Sequence, residues 1–314
     1  MQKILITGGA GNVGSALSKS LVSSDKYEVI VADNLITGDV EKLPKNHPNF
    51  TFIKCDVNDY DEIAPIMLSN RFDYVFHYAA LVGVKRTLDN PIMVLDDIEG
   101  IKNILRLCKN TGVKRVFFSS SSEVYGEPVE FPQNEHTTPL NSRLPYAIVK
   151  NVAEAFFKSY EKEFGISHTI FRFFNTYGPS QSNDFVVPKF INMALKGEDI
   201  TIYGDGSQTR TFCYIDDNID ATKRIFEDNL HINDIVNIGS GIEVNVLDLA
   251  QRVISITNSS SKIIHLPALD EGAMTRRLPD NSKMLTVLGR ELKPVDDGIK
   301  ILVDFYREKY NREL

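Results

Sequence analysis

The sequence predicts an α/β fold: a Rossmann-type doubly wound parallel sheet with a smaller, discontinuous C-terminal substrate-binding domain. Short apolar runs alternate with amphipathic segments in the first half of the chain, which is typical of a parallel sheet covered by helices on both faces. A glycine-rich turn, TGGAGNVG, directly follows the first apolar run and opens the first amphipathic segment. The alternation weakens after Asn175, which predicts that a different domain begins there.

Six apolar runs are predicted to be the strands of the sheet: KILIT, YEVIVAD, NFTFIKCDV, DYVFHYAA, VKRVFFSS and SHTIFRFFN. The amphipathic segments that are predicted as helices between most of them cover residues 14–23, 60–68, 91–110 and 146–164. The long helices near residues 91–110 and 144–163 could supply an oligomer interface, so we expect a homodimer, although core packing would explain their apolar faces equally well.

Two interleaved domains are expected. Residues 1–175 form the first, and the helical pattern DNIDATKRIFED with the strand-like DIVNIGSG predicts that about residues 212–245 return to it. Residues 176–211 and 246–314 form the second, which ends in a helix near residues 296–313. Ligands of open α/β sheets bind at the carboxyl ends of the strands, so we expect the functional residues there.

Composition limits the classes of partner. The chain has 314 residues, is 42% hydrophobic and carries a formal net charge of -7, which argues against nucleic acid or an anionic membrane as partner. Its three cysteines are odd in number and far apart, so we predict neither a disulfide framework nor a metal site. The N-terminal apolar run is too short for a signal peptide and no run has transmembrane length, so we expect a cytoplasmic protein.

The glycine-rich turn predicts a dinucleotide site. Gly8, Gly11 and Gly14 permit a tight turn, close approach to a pyrophosphate and close helix–strand packing, and the helix N-terminus adds N–H donors. Asp33 lies 19 residues beyond Gly14, where a carboxylate accepts bonds from ribose hydroxyls and repels a 2′-phosphate, which favours NAD over NADP. The further predicted cofactor-binding residues are Asn12, Val13, Asn34, Asp56, Val57, Tyr78, Ala79, Ala80 and Ser119.

A second pattern indicates catalysis. Tyr146 and Lys150 are four residues apart and therefore share one helical face. A phenol has a pKa near 10, but a neighbouring ammonium group and a bound nicotinamide cation would stabilise the phenolate and lower that pKa. The same two residues are therefore predicted to be both catalytic and cofactor-binding.

Several ordered motifs resemble one family across nearly the whole chain. They are TGGAGNVG, DVND, HYAA, SSSSEVYGE, YAIVK, FRFFNTYGP, YGDGSQTRTFCYIDD and TRRLPD. The family is the extended short-chain dehydrogenases/reductases, in particular the NAD-dependent nucleotide-sugar epimerases, decarboxylases and dehydratases, and the chain is also similar to bacterial capsule-sugar 4-dehydrogenases. The resemblance implies NAD as cofactor and a nucleoside-diphosphate sugar as substrate.

The resemblance also implies residue roles. Tyr146 takes a proton from a sugar hydroxyl, usually at C4, while the C4 hydride passes to NAD; Lys150 holds the nicotinamide ribose, and Ser121 hydrogen-bonds the reacting oxygen. Asn175, Arg210 and Arg277 align with residues that contact the sugar diphosphate, and arginine suits phosphate because its planar fork bonds two oxygens at once. The remaining predicted substrate-binding residues are Ser122, Val187 and Tyr203.

The chain departs from the family in the segment Asp97-Ile98-Glu99-Gly100-Ile101. The family often has Asn before Gly-Thr there, whereas this chain has an acid in place of the amide and isoleucine in place of threonine. The usual aromatic-aliphatic pair of the glycine motif is Asn12-Val13 here, which leaves the cofactor prediction intact. The first departure puts in doubt any proton relay that needs the amide.

The residues after Ser121 bear on the reaction. Family dehydratases usually have Asp-Glu there, so Ser122-Glu123 disfavours dehydration, while the same pair with Arg277 nearly matches the uronate decarboxylases. We expect C4 oxidation of a nucleotide sugar, either complete at the 4-keto sugar or continuing to the C4 epimer, in bacterial surface-polysaccharide synthesis. The alternatives are a UDP-glucuronate-type decarboxylase and, from another class, a non-catalytic NAD-binding regulator. Glu123 is predicted to be catalytic, although it could instead cap a turn.

Overall fold

The computed structural model describes residues 1–127, 129–268 and 276–313. Its strands are β1 (Gln2–Thr7), β2 (Tyr27–Asp33), β3 (Phe50–Lys54), β4 (Tyr74–His77), β5 (Arg115–Ser121), β6 (His168–Phe173), β7 (Thr176–Tyr177), β8 (Ile200–Tyr203), β9 (Thr209–Thr211), β10 (Cys213–Tyr214), β11 (Asp234–Ile238), β12 (Glu243–Asn245) and β13 (Ile263–Leu266). The helices are α1 (Asn12–Val22), α2 (Tyr60–Asn70), α3 (Val84–Asp89), α4 (Pro91–Thr111), α5 (Pro145–Phe164), α6 (Val186–Leu195), α7 (Ile215–Glu227), α8 (Val246–Thr257), α9 (Ser282–Leu288) and α10 (Val295–Glu313). Short 3-10 turns lie at Val40–Lys42 and Ser122–Tyr125.

Seven strands form the central sheet in the order β11-β6-β5-β4-β1-β2-β3. Strands β1 to β6 pair in parallel, and the chain order reverses at β1, which has β2 on one side and β4 on the other. All seven residues of β5 are buried, as expected for a strand with both faces covered. The predicted Rossmann-type α/β class is confirmed, and the reversal next to β1 is the position at which such sheets bind ligands.

Contacts divide the chain into two compact units. The first comprises residues 1–126, 140–173 and 219–236, and the second comprises 127–139, 174–218 and 237–314. The sequence places the segment 127–139 in the first domain, whereas the contacts group it with the second. The reason is a set of backbone bonds from Gln133: its N–H donates to the Leu278 carbonyl at 2.7 Å, and its carbonyl accepts from the Asp280 N–H at 2.8 Å.

The core of the first unit lies between the sheet and helices α2, α4 and α5, and it includes the fully buried Leu5, Ile104 and Phe118. Helix α4 approaches the chain after β3 closely at Gly100, where an added Cβ would lie 2.5 Å from the Asn58 side-chain oxygen. Within the second unit, β9 pairs antiparallel with β12, β8 pairs parallel with β13, and α6, α8 and α10 pack together. Each unit thus has its own apolar packing.

Membrane-spanning helices and metal-binding clusters were sought in residues 1–127, 129–268 and 276–313. Within them, no helix combines the length and the apolar composition needed to cross a bilayer. The same residues include no cluster of three His, Cys, Asp or Glu side chains placed to hold a metal ion. All three cysteines are free and buried.

We expect Leu5→Ala to lower the free energy of unfolding by about 2–5 kcal/mol, because the truncation leaves a cavity in the sheet's buried centre. The midpoint of urea denaturation, followed by circular dichroism, measures the loss. Leu68→Ala is the matched control: Leu68 is 57% exposed, so its truncation should change stability by about 0.5 kcal/mol or less. Equal losses in the two variants would contradict the assigned core.

Candidate active site

The glycine turn after β1 is packed tightly against the end of β4. Gly8 has φ +67°, and a Cβ at that position would lie 2.5 Å from the Ala79 backbone nitrogen. A Cβ on Gly14 would lie 2.6 Å from the Gly8 carbonyl oxygen, so α1 begins directly on the turn. The cap residue of α1, Gly11, makes no side-chain capping bond, which leaves the first N–H groups of the helix to a ligand.

The asparagine that begins α1 also fits a ligand. The Asn12 side-chain oxygen is buried and accepts no hydrogen bond within the described part of the chain. A buried acceptor of this kind costs free energy unless a donor reaches it, and a bound molecule can supply that donor. Val13 follows Asn12 in the first turn of the helix and is half-buried. The turn thus combines close backbone approach, a helix N-terminus and an unused acceptor.

Asp33 ends strand β2 with its carboxylate held in place. One oxygen accepts from the Ala10 N–H at 2.9 Å and the other from the Leu35 N–H at 2.8 Å. A carboxylate oxygen has two lone pairs, so each keeps one for a ribose hydroxyl. Gly38 lies against this carboxylate, since an added Cβ would come within 2.6 Å of Asp33 Oδ1. The structure therefore brings Asp33 next to the glycine turn, as the sequence predicts.

Three further predicted cofactor-binding residues, Asn34, Asp56 and Val57, follow β2 and β3. The Asn34 side-chain amide donates to Asp56 Oδ2 at 3.2 Å, which connects the ends of the two strands. The Val57 side chain is buried in the core, and its carbonyl accepts from the Asn103 side chain at 3.1 Å. Contact between Val57 and a cofactor is thus confined to its backbone.

Tyr78, Ala79 and Ala80 follow β4. The Tyr78 ring is buried and packs edge-on against Phe76 and Phe173, with ring centroids 5.8 and 5.7 Å apart. Its side chain therefore belongs to the aromatic core, so only the Tyr78 backbone can line the dinucleotide site. Ala79 and Ala80 are half-buried, and Ala79 is the residue that contacts Gly8.

Lys150 is a buried cation at the carboxyl end of β5. Its ammonium donates to the Ser119 carbonyl at 2.7 Å and lies 4.8 Å from the Phe118 ring centroid and 5.7 Å from that of Tyr146. Burial lowers the pKa of Lys150 to about 8, although the charges of Asp97 and Glu154 act in the opposite direction. The structure thus brings together Ser119, Tyr146 and Lys150, three of the predicted site residues.

Ser121 ends β5 and caps the 3-10 turn Ser122–Tyr125. Its hydroxyl oxygen accepts from the Glu123 N–H at 3.2 Å, so the hydroxyl proton remains a donor for another oxygen. The Ser122 side chain is buried, and Glu123 is half-buried in the turn. The Ser121 hydroxyl and the Glu123 backbone N–H thus cap this turn.

The sequence-based prediction missed two pairs of buried polar residues, one at the ends of β1 and β4 and one between α5 and β6. The first is Thr7 and His77, whose Oγ1 and Nδ1 lie 2.8 Å apart. Burial and the charge of Lys150 lower the pKa of His77 to about 3, so its imidazole is neutral. The second is Glu154 with Arg172, which form a buried ion pair. Glu154 follows Lys150 by four residues on α5, so helical spacing could have indicated it.

The second unit contains the remaining predicted substrate-binding residues. The Asn175 backbone has φ +38°, and its side-chain amide donates to the Thr211 carbonyl at 3.0 Å, next to Arg210. Arg210 lies in β9, where its Nη1 donates to the Thr209 carbonyl at 2.7 Å. Asn175 and Arg210 are thus brought together on adjoining segments of this unit.

Arg277 is buried and follows Arg276, whose guanidinium makes two 2.7 Å bonds to the Glu243 carboxylate. Glu243 begins β12, which pairs with β9, the strand that contains Arg210. Arg210 and Arg277, the two predicted phosphate-binding arginines, therefore lie on neighbouring segments. Elsewhere in the unit, Val187 is buried in the first turn of α6 and Tyr203 is exposed at the end of β8.

A glycine turn after β1, a carboxylate at the end of β2 and a Tyr–Lys pair on one helix, together with the Rossmann sheet, are typical of NAD-binding enzymes. The family model "NAD dependent epimerase/dehydratase family" matches residues 4–239, and the chain belongs to that family.

Curated relatives cover nearly the whole chain. The chain is 36% identical to UDP-glucuronic acid decarboxylase 3 of Arabidopsis thaliana, over 98% of this chain and 90% of the relative. It is 35% identical to UDP-N-acetyl-alpha-D-glucosaminuronate decarboxylase of Bacillus cytotoxicus, over 99% of each. Both of these relatives are decarboxylases of nucleotide-linked uronic acids.

Among solved structures, a UDP-glucose 4-epimerase of Thermotoga maritima with UDP-glucose matches with a TM-score of 0.92 and 32% identity, over 98% of this chain and 100% of that one. A dTDP-glucose 4,6-dehydratase of Streptomyces venezuelae with NAD bound matches with a TM-score of 0.90 and 27% identity, over 98% and 97%. The predicted family and the predicted cofactor, NAD, are confirmed. The protein is an enzyme of the NAD-dependent nucleotide-sugar epimerase/decarboxylase type.

The depressed pKa of Lys150 predicts a pH-dependent stability. Between about pH 8 and its unfolded value of 10.5, the unfolded lysine binds a proton that the folded one has lost, so wild-type stability rises with pH in that window. We expect the stability difference between Lys150→Met and the wild type to move by about 2 kcal/mol in favour of the wild type between pH 7 and 9.5.

Urea denaturation at the two pH values measures this change. Lys102→Met is the control, because Lys102 lies on the surface of α4 with 45% of its side chain exposed. Its difference from the wild type should be the same at both pH values. A Lys150→Met difference that is equally independent of pH would contradict the buried cation.

Proposed function

We propose that the enzyme oxidises C4 of a nucleotide-linked hexuronate with NAD and then decarboxylates it. The supporting observation is the combination of Ser121-Ser122-Glu123 after β5 with near full-length identity of 35–36% to two uronate decarboxylases. The sequence alone favours 4-dehydrogenation and 4-epimerisation over this reaction. The similarity to these two decarboxylases instead favours decarboxylation.

The chemistry explains why oxidation at C4 would precede loss of carbon dioxide. Oxidation places a ketone β to the carboxylate on C5, so the C5–carboxylate bond can break with its electron pair passing into an enolate at the C4 oxygen. Bound NAD supplies the acceptor for the C4 hydride and later returns it. Protonation at C5 then restores the ketone, which that hydride reduces. The enzyme must therefore stabilise negative charge on the C4 oxygen.

Three residues at the carboxyl end of β5 and on α5 suit that role. Tyr146 would remove the C4 hydroxyl proton, and the Lys150 cation, 5.7 Å from the Tyr146 ring centroid, favours the phenolate that does so. The Ser121 hydroxyl, which uses its oxygen to accept from Glu123, would donate its proton to the C4 oxygen. Lys150 would also hold the nicotinamide ribose.

Glu123 is the proposed proton carrier for C5. Its backbone N–H donates to the Ser121 hydroxyl oxygen, and the residue is half-buried directly after the strand that ends at Ser121. Arg210, Arg277 and Asn175 are the proposed contacts to the diphosphate, since guanidinium groups form paired bonds to phosphate oxygens. We further propose that the product serves surface-polysaccharide synthesis, as the resemblance of the sequence implies.

Epimerisation at C4 is the second candidate. It is favoured by the match to a UDP-glucose 4-epimerase, which covers 98% of this chain at 32% identity. It uses the same oxidation, followed by hydride return to the opposite face of the ketone. Release of the 4-keto sugar, the 4-dehydrogenase outcome, would instead leave NADH on the enzyme after each turnover.

Product mass distinguishes these reactions. Purified enzyme is incubated with UDP-, GDP-, CDP- and dTDP-linked hexoses and hexuronates, and products are analysed by mass spectrometry. Loss of carbon dioxide from a hexuronate supports decarboxylation, whereas an unchanged mass with a new stereoisomer supports epimerisation. Loss of two hydrogens with accumulated NADH supports 4-dehydrogenation.

We expect Tyr146→Phe to lower kcat by about 10²–10⁴-fold, because it removes the proposed general base. Glu123→Gln should retain NADH formation from a hexuronate but release the decarboxylated product more slowly, because protonation at C5 is impaired. Tyr160→Phe is the matched control, since Tyr160 lies on the same helix against Phe164. Full activity of Tyr146→Phe would refute the catalytic assignment.

We also propose that the enzyme is a homodimer through α4 and α5. These helices pack together, and they expose Ile92 and Leu95 on α4 and Ile148 and Val152 on α5. Exposed apolar residues on adjacent helices are typical of an oligomer interface.

The double substitution Ile92→Asp/Val152→Asp should convert a dimer into a monomer, because buried unpaired carboxylates oppose association. Sedimentation velocity measures the mass. Ile242→Asp is the control, since Ile242 is 69% exposed in the second unit and should leave the dimer intact. A wild type that sediments as a monomer would refute the proposed interface.

A further inference from the structure

A buried ion pair lies between helix α5 and strand β6. Arg172 donates from Nε to Glu154 Oε1 at 2.9 Å and from Nη2 to Glu154 Oε2 at 2.7 Å. The two side chains are 1% and 2% exposed, so the pair lies in the interior of the first unit. A buried pair repays its desolvation only when the geometry is good and the remaining polar atoms are also bonded.

Two further bonds connect this pair to the segment that contains Ser121. The Ser120 hydroxyl donates to Glu154 Oε1 at 2.6 Å, and Arg172 Nη1 donates to the Tyr125 hydroxyl at 2.8 Å. The guanidinium carbon also lies 4.7 Å from the Tyr125 ring centroid. Burial alone would lower the pKa of Arg172, but the hydrogen bond and charge of Glu154 outweigh it and raise that pKa, so the guanidinium stays charged.

These bonds connect the two elements that carry the proposed catalytic groups. Ser120 immediately precedes Ser121, and Tyr125 ends the 3-10 turn that Ser121 caps. Glu154 lies on the same face of α5 as Tyr146 and Lys150, since the three residues are spaced four apart. The ion pair therefore joins the Tyr–Lys helix to both ends of the segment that holds Ser121.

Stability alone is a weak reason for such a pair. Apolar residues of similar volume usually stabilise a protein interior as well as a buried ion pair does, or better. Apolar contacts, however, do not fix an angle or a distance, whereas a two-bond guanidinium–carboxylate pair fixes both. The arrangement is thus better suited to precise placement than to stability.

We propose that Glu154 and Arg172 are a positioning pair that sets the distance between the Ser121 hydroxyl and the Tyr146 phenol. The inference rests on the proposed function, in which these two groups act together on the C4 oxygen. Misplacement of a reacting group by 1 Å can cost about 10²-fold in rate. Loss of the pair should therefore lower kcat while leaving the binding of NAD and substrate in place.

The test is the double substitution Glu154→Leu/Arg172→Met, which replaces the ion pair by apolar side chains of similar volume. We expect the variant to fold, to bind NAD and substrate with unchanged Kd and KM, and to form NADH about 10²-fold more slowly in a single turnover. Hydrogen exchange gives an independent readout. Amides of residues 119–126 should exchange faster than in the wild type, while those of β1 and β2 should not change.

Arg115→Met is the matched control. Arg115 is a second buried arginine at the other end of β5, where it bonds to the Thr169 hydroxyl and the Leu230 carbonyl. Its substitution can lower stability but should leave kcat and the exchange of residues 119–126 unchanged. Tyr125→Phe is a milder test of the pair, and it should shift kcat and exchange in the same directions by smaller amounts.

A folded double variant with wild-type kcat and wild-type exchange at residues 119–126 would overturn the proposal. If the double variant fails to fold, Tyr125→Phe decides in the same way, since unchanged kcat and unchanged exchange would again overturn it. A wild type that is inactive on every nucleotide sugar would refute the proposed function instead. In that case the exchange measurement alone decides whether the pair positions the segment.

Discussion

The rest of the site depends on one interaction, the bond that holds a buried lysine ammonium at the end of strand β5. Lys150 is bonded to the Ser119 carbonyl at 2.7 Å, and its burial lowers its pKa to about 8. Charge acts more strongly in such surroundings than in water, so the ammonium can stabilise a phenolate on Tyr146 one helical turn away. That effect requires α5 to be fixed against β5, and the Ser120 hydroxyl of β5 donates to Glu154 of α5, the partner of Arg172 on β6.

Asp97, the first residue of the segment that departs from the family pattern, takes part in the same electrostatics. Its Oδ2 accepts from the Leu81 N–H at 2.8 Å, a bond that an amide oxygen could also accept. Burial raises the pKa of Asp97, while that hydrogen bond and the charge of Lys150 oppose the rise. Asp97 and Glu154 are the two acidic neighbours whose charges raise the pKa of Lys150. Of the two, Glu154 is also paired with Arg172. The departure thus changes the charge beside the lysine more than the hydrogen bonding.

The two compact units divide the chemistry by type. The first contains the glycine turn and the residues proposed for hydride and proton transfer. The second contains Asn175, Arg210 and Arg277, cations and an amide suited to a diphosphate. Under the proposed function, neither set determines the fate of the sugar once C4 is oxidised. Glu123 and the similarity to uronate decarboxylases are the features that favour loss of carbon dioxide.

The sequence by itself determined the features that depend on local spacing. The turn at Gly8, Gly11 and Gly14 and the acid at Asp33 lie within one β–α–β unit, and the Tyr146–Lys150 pair lies on one helix. Periodicity and the resemblance to the family therefore identify them. Tertiary structure alone decided the contacts between distant segments. Examples are Ser120 with Glu154 and Arg172, Thr7 with His77, and the grouping of residues 127–139 with the second unit. Such contacts depend on strand register and on the packing of α5 against the sheet, and a single sequence specifies neither by local pattern.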